Sequence, residues 1–299
     1  MAESTTVGVR RARPLLGTVV EIAAGAPTSL VAEAAIDAAF DAIVVIHRAL
    51  SAQDARSELA RVNASASDAP QRISDGFAAV LACALDVARR TGGAFDPTVG
   101  GIVAELGFLP RRHACERASW RDVQFDGTEV QFAVPLALDF DGIAKGYAVD
   151  SAIAALMRHG ATRGCVNAGG DLRAFGAHAE TVHVRTGGRH PAVLPLVTIA
   201  DAAVATSGYA GQRRCREGRF ATPLVDPRLR LPVMSTRTVS VVARTCMLAD
   251  ALTKVVALRG ARAAPVLAHY GASASILSPL RGAWRCTRLP PAAADRAAA

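Results

Sequence analysis

The sequence predicts an α+β fold of mixed sheets flanked by helices, and three observations carry that expectation. Strand-like and helix-like runs follow one another without the steady alternation of a doubly wound parallel sheet. Asp126-Gly127 joins two short apolar runs, a strong hairpin signal. Hydrophobic residues make up 51% of the 299, enough for a substantial core.

Taken in order, Leu16 to Ala23 reads as a strand, and a Gly-Ala-Pro turn leads into a helix over 29–50. That helix carries Val31, Ile36, Phe40, Ile43 and Ile46 at helical spacing. A polar connection over 51–63 contains a helical turn around Ser57-Glu58-Leu59. Asp75 is the expected cap of a helix over 76–90, which Thr91-Gly92-Gly93 ends. A tight turn follows over 94–100, with Asp96 beside Pro97. The hairpin pairs 123–125 with 129–132. A strand over 136–140 enters the Asp141-Gly142 turn and a helix over 144–159. Further strands are expected at 163–166, 182–185, 193–199, 204–206 and 238–243, with helices at 247–259 and 261–270. No internal repeat or linker breaks the chain. The expected organisation is a disordered terminus over 1–9, one domain over 10–285, and a disordered Pro- and Ala-rich tail over 286–299.

Composition narrows the partners. A net charge of +8 and a pI near 9.7 favour anionic ligands such as nucleotides. The arginines are scattered, clustering only at Arg10–Arg13, Arg111-Arg112 and Arg213–Arg219. Few aromatics interleave with them, which argues against nucleic acid. The six cysteines stand singly, neither a zinc pattern nor a disulfide framework, and a reducing cytoplasm is the expectation. His178, His183 and His190 fit no metal spacing and read as surface histidines. Met1–Arg13 carries charge without a following apolar stretch, so no secretory signal is visible. No 18-residue apolar run suggests a membrane span.

Only two of the 34 basic residues are lysines, Lys145 and Lys254. Lysine offers a compact point charge where arginine offers a planar fork. Each lysine lies near a turn or helix rich in Gly and Asp. Such turns follow expected strands at Phe95–Gly101, Asp139–Gly146, Asn167–Asp171 and Ser207-Gly208. Glycine there lets a ligand approach the backbone, and amides at helix starts favour phosphate. Each turn alone also fits an ordinary structural role; together with the two lysines they suggest a nucleotide pocket.

The order of these segments resembles the FAD:protein FMN transferases, the ApbE-type flavin transferases, over roughly residues 10 to 280. Arg13-Pro14-Leu15-Leu16-Gly17-Thr18 resembles the family's opening strand. The stretch from Leu50-Ser51 through Ser57-Glu58-Leu59 to Asn63 follows its next motif. Thr91-Gly92-Gly93-Ala94-Phe95-Asp96-Pro97-Thr98-Val99-Gly100 is close to its consensus. Asp139–Asp150, Val166–Arg173, Ala205–Gly208, Val225–Arg228 and Met247–Leu252 complete the series.

The resemblance implies an ApbE-like, T-fold-related architecture and a specific reaction. FAD is cleaved at its pyrophosphate, FMN passes to a threonine or serine hydroxyl of an acceptor protein, and AMP leaves. Flavin contacts are implied for Ser51, Phe95, Asp96, Thr98, Asp139, Gly142, Lys145, Asn167, Gly169, Gly170, Asp171, Ser207 and Gly208. Catalytic roles fall to Asp250, Lys254 and Lys145. Magnesium would be held by the Gly142 carbonyl, the Asp250 carboxylate and a nearby hydroxyl, assigned to Thr253.

The chain departs from the family pattern at three places. Lys254 stands where the family has a hydroxyl, four residues after Asp250, and Thr253 comes one position early and points elsewhere. Residues i and i+4 on a helix meet, so Lys254 and Asp250 are expected to pair, with the ammonium where a metal belongs. Pro223 stands in place of a histidine and offers no base, and Thr222 beside it is a poor one. Asp141 replaces a common glycine, with an extra metal ligand and a helix cap as its two readings and the cap the preferred one. The transferase is the leading expectation. Its alternatives are a divergent FAD or nucleotide binder without transfer, and an FAD pyrophosphate hydrolase.

Overall fold

The computed structural model describes residues 6–110, 114–115, 117–177, 179–185, 193–208, 214–216, 219–281 and 283–289. It opens on a hairpin, β1 (Val7–Leu15) and β2 (Thr18–Ala26), joined by Leu16 and Gly17 at φ 55° and 70°. Two consecutive positive φ angles give a turn whose twist matches that of the paired strands. Residues 7–9, expected to be disordered, pair with Ala24–Ala26, and the strand expected at Leu16 starts at Thr18.

Helix α1 (Ser29–Leu50) follows, capped by the Thr28 hydroxyl, which accepts from Val31 N at 3.2 Å. Its buried stripe is Ala32, Ile36, Phe40, Ile43 and Leu50. After α2 (Glu58–Ser65) and the short β3 (Gln71–Arg72) comes α3 (Asp75–Arg90). Its cap is Ser74 rather than the expected Asp75: the Ser74 hydroxyl accepts from Phe77 N, and Asp75 lies in the first turn. Helix α4 (Gly100–Glu105) is short. Strands β4 (Val123–Phe125) and β5 (Glu129–Phe132) form the hairpin read from Asp126-Gly127, with β3 beside β5. The strand expected over 136–140 is absent. Only Ala137 bridges to Val99, and the Asn63 side chain both donates to and accepts from the Leu138 backbone, at 2.9 and 2.8 Å. The Asn63 side chain serves Leu138, while main-chain bonds to Pro97 and Gly100 serve Asp139 and Ala137.

Helix α5 (Ala144–Arg158) leads into β6 (Arg163–Ala168), β7 (Asp171–Phe175), β8 (Glu180–Arg185), β9 (Val193–Ile199) and β10 (Ala203–Gly208). Two small ribbons follow, β11 (Arg214–Arg216) with β12 (Arg219–Ala221), and β13 (Val225–Asp226) with β14 (Leu231–Pro232). The last part runs β15 (Thr238–Ala243), α6 (Cys246–Arg259), α7 (Ala264–His269), β16 (Ser273–Leu280) and β17 (Ala283–Leu289). The helix expected over 261–270 is divided into a 3₁₀ turn and α7, and residues 286–289 of the expected disordered tail belong to β17. Arg111-Arg112, His178, His190, Arg213, the first five residues and residues 290–299 lie outside those described.

The main sheet has eight strands in the order β1-β2-β6-β7-β10-β15-β16-β17, each paired antiparallel to its neighbour. Alternation sets its faces. Val166 and Ala168 of β6 and Ala203 and Ala205 of β10 face α1, α5 and α6 in the principal core. Cys165, Ala174 and Val204 face the other way and pack with Ile199 of the β8–β9 hairpin in a second, smaller core. At the rims, Arg10, Arg11 and Arg13 of β1 pair with Glu21, Glu33 and Asp37 at 2.9, 3.3 and 2.6 Å. Arg285 and Arg288 of β17 are exposed.

A candidate anion site between two helices

Backbone packing brings the two lysine-bearing helices together. Phe140 is fully buried and meets Phe77 edge to face, ring centroids 5.2 Å apart, which anchors the loop ahead of α5. Around it Asp139 N donates to Pro97 O at 2.7 Å, and Asp139 Oδ1 accepts from Asp141 N at 2.9 Å. The N-cap position of α5 is Ile143, with no side-chain cap, so Asp141 is not the expected helix cap. One turn on, Gly146 lies against the first turn of α6, where an added Cβ would stand 2.6 Å from the Cys246 carbonyl carbon. Gly146 N reaches Asp250 Oδ2 at 3.2 Å. The Asp150 carboxylate accepts from Cys246 N and Met247 N, both at 2.9 Å, and from Arg173 at 2.6 Å. A carboxylate on the first amides of a helix satisfies orphan donors and suits the helix dipole.

Both lysines enter the cleft thus formed. Lys145 Nζ is 2.8 Å from Asp171 Oδ2, an ion pair without hydrogen-bond directionality, and neither Asp171 oxygen has a hydrogen-bond partner among the described residues. Lys254 Nζ touches Asp250 Oδ1 and donates to the Asp250 carbonyl at 3.2 Å and to Ser207 Oγ at 3.4 Å. Thr253 does not point away as expected. Its hydroxyl donates to the Asp250 carbonyl at 2.7 Å and shares a 2.8 Å hydrogen bond with Ser207.

Burial governs the titration of this cluster. Loss of hydration, with Asp141 adding to it, pushes Asp139 up to about 7. Asp171 is pushed up to about 6 by burial and by Asp250, against the pull of Lys145 and Lys254. Asp141, at the solvent edge, is raised by loss of hydration against the same two lysines. Burial alone would lower Lys145, but Asp171 and Asp250 outweigh it, and its ammonium is held above the usual lysine range.

The other candidates surround this cluster or face away from it. Gly142 opens directly on Lys254, whose Cε would stand 3.3 Å from an added Cβ, with Phe95 3.4 Å away. Asp96 and Thr98 are committed to each other: Asp96 Oδ1 takes the Thr98 amide at 2.9 Å and hydroxyl at 2.7 Å, while Oδ2 takes Trp120 N at 3.2 Å. They shape the turn that carries Phe95. Ser51 ends α1 and accepts from Asp54 N at 3.3 Å. Asn167 Oδ1 accepts from Gly170 N at 3.1 Å, which closes the β6–β7 turn. Asn167, Gly169, Gly170 and Gly208 border a cavity of about 550 Å³ between the sheet and the β8–β9 hairpin. His183 lines it too, while Lys145, Asp171, Asp250 and Lys254 do not. The expected residues thus divide between the two faces of the same strand ends.

Sequence reasoning quoted Asp150, Asn63 and Arg228 only as motif letters and gave them no role. Asp150 clamps α6, Asn63 holds Leu138, and Arg228 donates to Gly92 O at 2.8 Å while Arg259 grips Thr91 O. An acid in mid-helix among apolar neighbours was the one available signal for Asp150. Pro223 follows Thr222, which is fully buried and donates to the carbonyls of Leu224 and Val233 at 3.1 and 2.9 Å.

The residues do not fit the magnesium that the resemblance implies. Asp250 Oδ1 is capped by an ammonium, Oδ2 by the Gly146 amide, and the Asp250 carbonyl by Thr253 and Lys254. The Thr253 hydroxyl is already bonded twice. Among the described residues no group of three or more His, Cys, Asp or Glu side chains could hold a metal. No described helix is long and apolar enough to cross a membrane.

Comparison with known proteins bears on the family and the fold. The FAD:protein FMN transferase of Escherichia coli (strain K12) is 27% identical over 225 residues, 68% of this chain. The chain spans 64% of the length of that relative. The FAD:protein FMN transferase of Treponema pallidum is 29% identical over 278 residues, 81% of this chain and 76% of the relative. Among solved structures, the apo flavinyl transferase ApbE of Pseudomonas stutzeri superposes with a TM-score of 0.79 at 21% identity, covering 96% of each chain. The flavin transferase ApbE of Vibrio cholerae gives 0.79 at 22%, over 98% of this chain and 99% of its own. At such identities the structural likeness is one of fold. The model of the ApbE family matches residues 16–276, and the chain belongs to that family.

Proposed function

We propose that the chain is a FAD:protein FMN transferase. The observation that carries the reading is the convergence of Lys145 and Lys254 beside the Gly142 turn and Ser207, with the β6–β7 turn adjoining. Two ammonium groups and open backbone suit a bound pyrophosphate. In the reaction the acceptor hydroxyl oxygen forms a bond to the FMN phosphorus, and the bond from that phosphorus to the AMP oxygen breaks. The hydroxyl proton is lost to solvent and AMP departs as a phosphate monoester. Phosphoryl transfer needs positioning and charge neutralisation more than a strong base, which accommodates Pro223 in place of a histidine.

FAD is the donor, and the partner is a protein with a short threonine or serine flavinylation motif of the Asp-Gly-x-Ser/Thr-Gly-Ala-Thr kind. Nucleic acid has no part in this reading. The compartment we assign is the cytoplasm, a reading supported by six cysteines that stand free of one another.

The test mixes the protein with FAD and an acceptor domain carrying that motif, with and without magnesium, and weighs the acceptor. A mass gain of one FMN supports the reading. An unmodified acceptor, beside a control enzyme that modifies it, leaves a flavin binder without transfer. Release of free FMN and AMP marks a hydrolase.

A further inference from the structure

We propose that the Lys254 ammonium is a built-in cation that does the work of a divalent metal here, so that a flavin pyrophosphate binds without one. This deepens the flavin reading and rests on it. The nitrogen is held by oxygen atoms. Its neighbours include a carboxylate oxygen, a main-chain carbonyl and a hydroxyl: Asp250 Oδ1, Asp250 O and Ser207 Oγ. Those are the hard oxygen atoms a small cation takes, and an ammonium can donate to each of them.

Three features fix the nitrogen there. The lysine stem runs beneath Gly142, with Cε and Cδ 3.3 and 3.7 Å from the place a Cβ would take, so the missing side chain leaves its channel. Thr253 holds Ser207 by a 2.8 Å bond and is itself anchored on the Asp250 carbonyl, so the hydroxyl acceptor cannot swing away freely. The second carboxylate oxygen of Asp250 is occupied by Gly146 N, which sets the carboxylate plane. A dication brought to Asp250 would meet a positive charge already in contact with its ligand.

The longest of these three bonds, 3.4 Å to Ser207, lies on the side of the β10 end. A phosphate oxygen entering there takes over that hydrogen from Ser207, and Ser207 keeps its bond to Thr253. The charge arrives on the protein itself and needs no metal to be recruited.

The experiment titrates FAD into the protein by flavin fluorescence, once in EDTA and once in magnesium. Binding of Mn²⁺ alone is followed by electron paramagnetic resonance. Wild type is expected to bind FAD with affinities that agree within about two-fold in the two buffers and to take up no stoichiometric Mn²⁺. Lys254→Thr is expected to lose about ten-fold or more in EDTA, recover in magnesium and gain a Mn²⁺ site. Wild-type binding that tightens about ten-fold with magnesium, or stoichiometric Mn²⁺ on the wild type, overturns the inference and leaves the flavin reading standing. No FAD binding by the wild type in either buffer overturns both. The wild-type arms decide the matter even if the variant does not fold.

Discussion

Lys254 and Asp250, one turn apart on α6, are in direct contact, and the same aspartate offers its main-chain carbonyl to the same ammonium. One residue therefore neutralises and orients the other through both side chain and backbone. Asp250 is almost wholly buried, so the pair is not a rim decoration. Its members depend on each other in a way an exposed helix pair does not.

Asp250→Ala leaves the largely buried Lys254 side chain with one fewer anion. Loss of one partner of such a pair costs about 3 kcal/mol. Urea unfolding is expected to show a drop of that order, and Asp250→Ala with Lys254→Met to recover part of it. A single variant as stable as wild type would show that the pair adds nothing to the fold.

Asp139 is raised from its ordinary range to about 7 by burial, with Asp141 adding and Lys254 opposing. A carboxyl raised on folding favours the native state most when protonated. Its contribution is complete below the unfolded pKa and is lost as pH rises through the folded value. Stability from this group therefore falls between about pH 4 and pH 8. Asp139→Asn keeps the oxygen that accepts from Asp141 N and has no charge to bury. The melting temperature of Asp139→Asn is expected to exceed wild type at pH 8 and to converge with it near pH 4. A constant gap across that range counts against the shift.

Gly146→Ala forces a methyl group into the Cys246 carbonyl, a backbone atom at the start of α6. Overpacking of this kind costs about 1–3 kcal/mol. The melting point should fall, and flavin affinity with it, because α5 and α6 carry one lysine each. An unchanged melting point would mean the helices part without cost.

Lys145→Ala removes the ammonium from Asp171, whose oxygens have no directed partner. FAD affinity is expected to fall about ten-fold or more, while Arg285→Ala on an exposed strand leaves it unchanged. Equal effects in a titration of the two variants would argue that the lysine does not face the ligand.

The parts of the fold legible in the sequence were those with local chemistry. Helix α1 has the bounds its apolar spacing predicted, and the Asp126-Gly127 hairpin is present. The β1–β2 hairpin escaped because its turn is Leu16-Gly17, and leucine at positive φ is not a turn signal. Leu136–Phe140 has strand-like residues, but Asn63 takes the Leu138 hydrogen bonds and the turn over 97–100 takes those of Ala137 and Asp139, so only an isolated bridge forms. In the site, the i, i+4 spacing foretold the contact of Lys254 with Asp250. The position of Ser207 and Thr253 depended on how β10 meets α6, a relation no local pattern encodes.

Among the described residues the main sheet ends on β1 and β17, and both outer strands carry arginines. The β1 arginines are matched by acids, whereas Arg285 and Arg288 of β17 are exposed, and exposed charge on an outer strand opposes edge-to-edge pairing with another sheet.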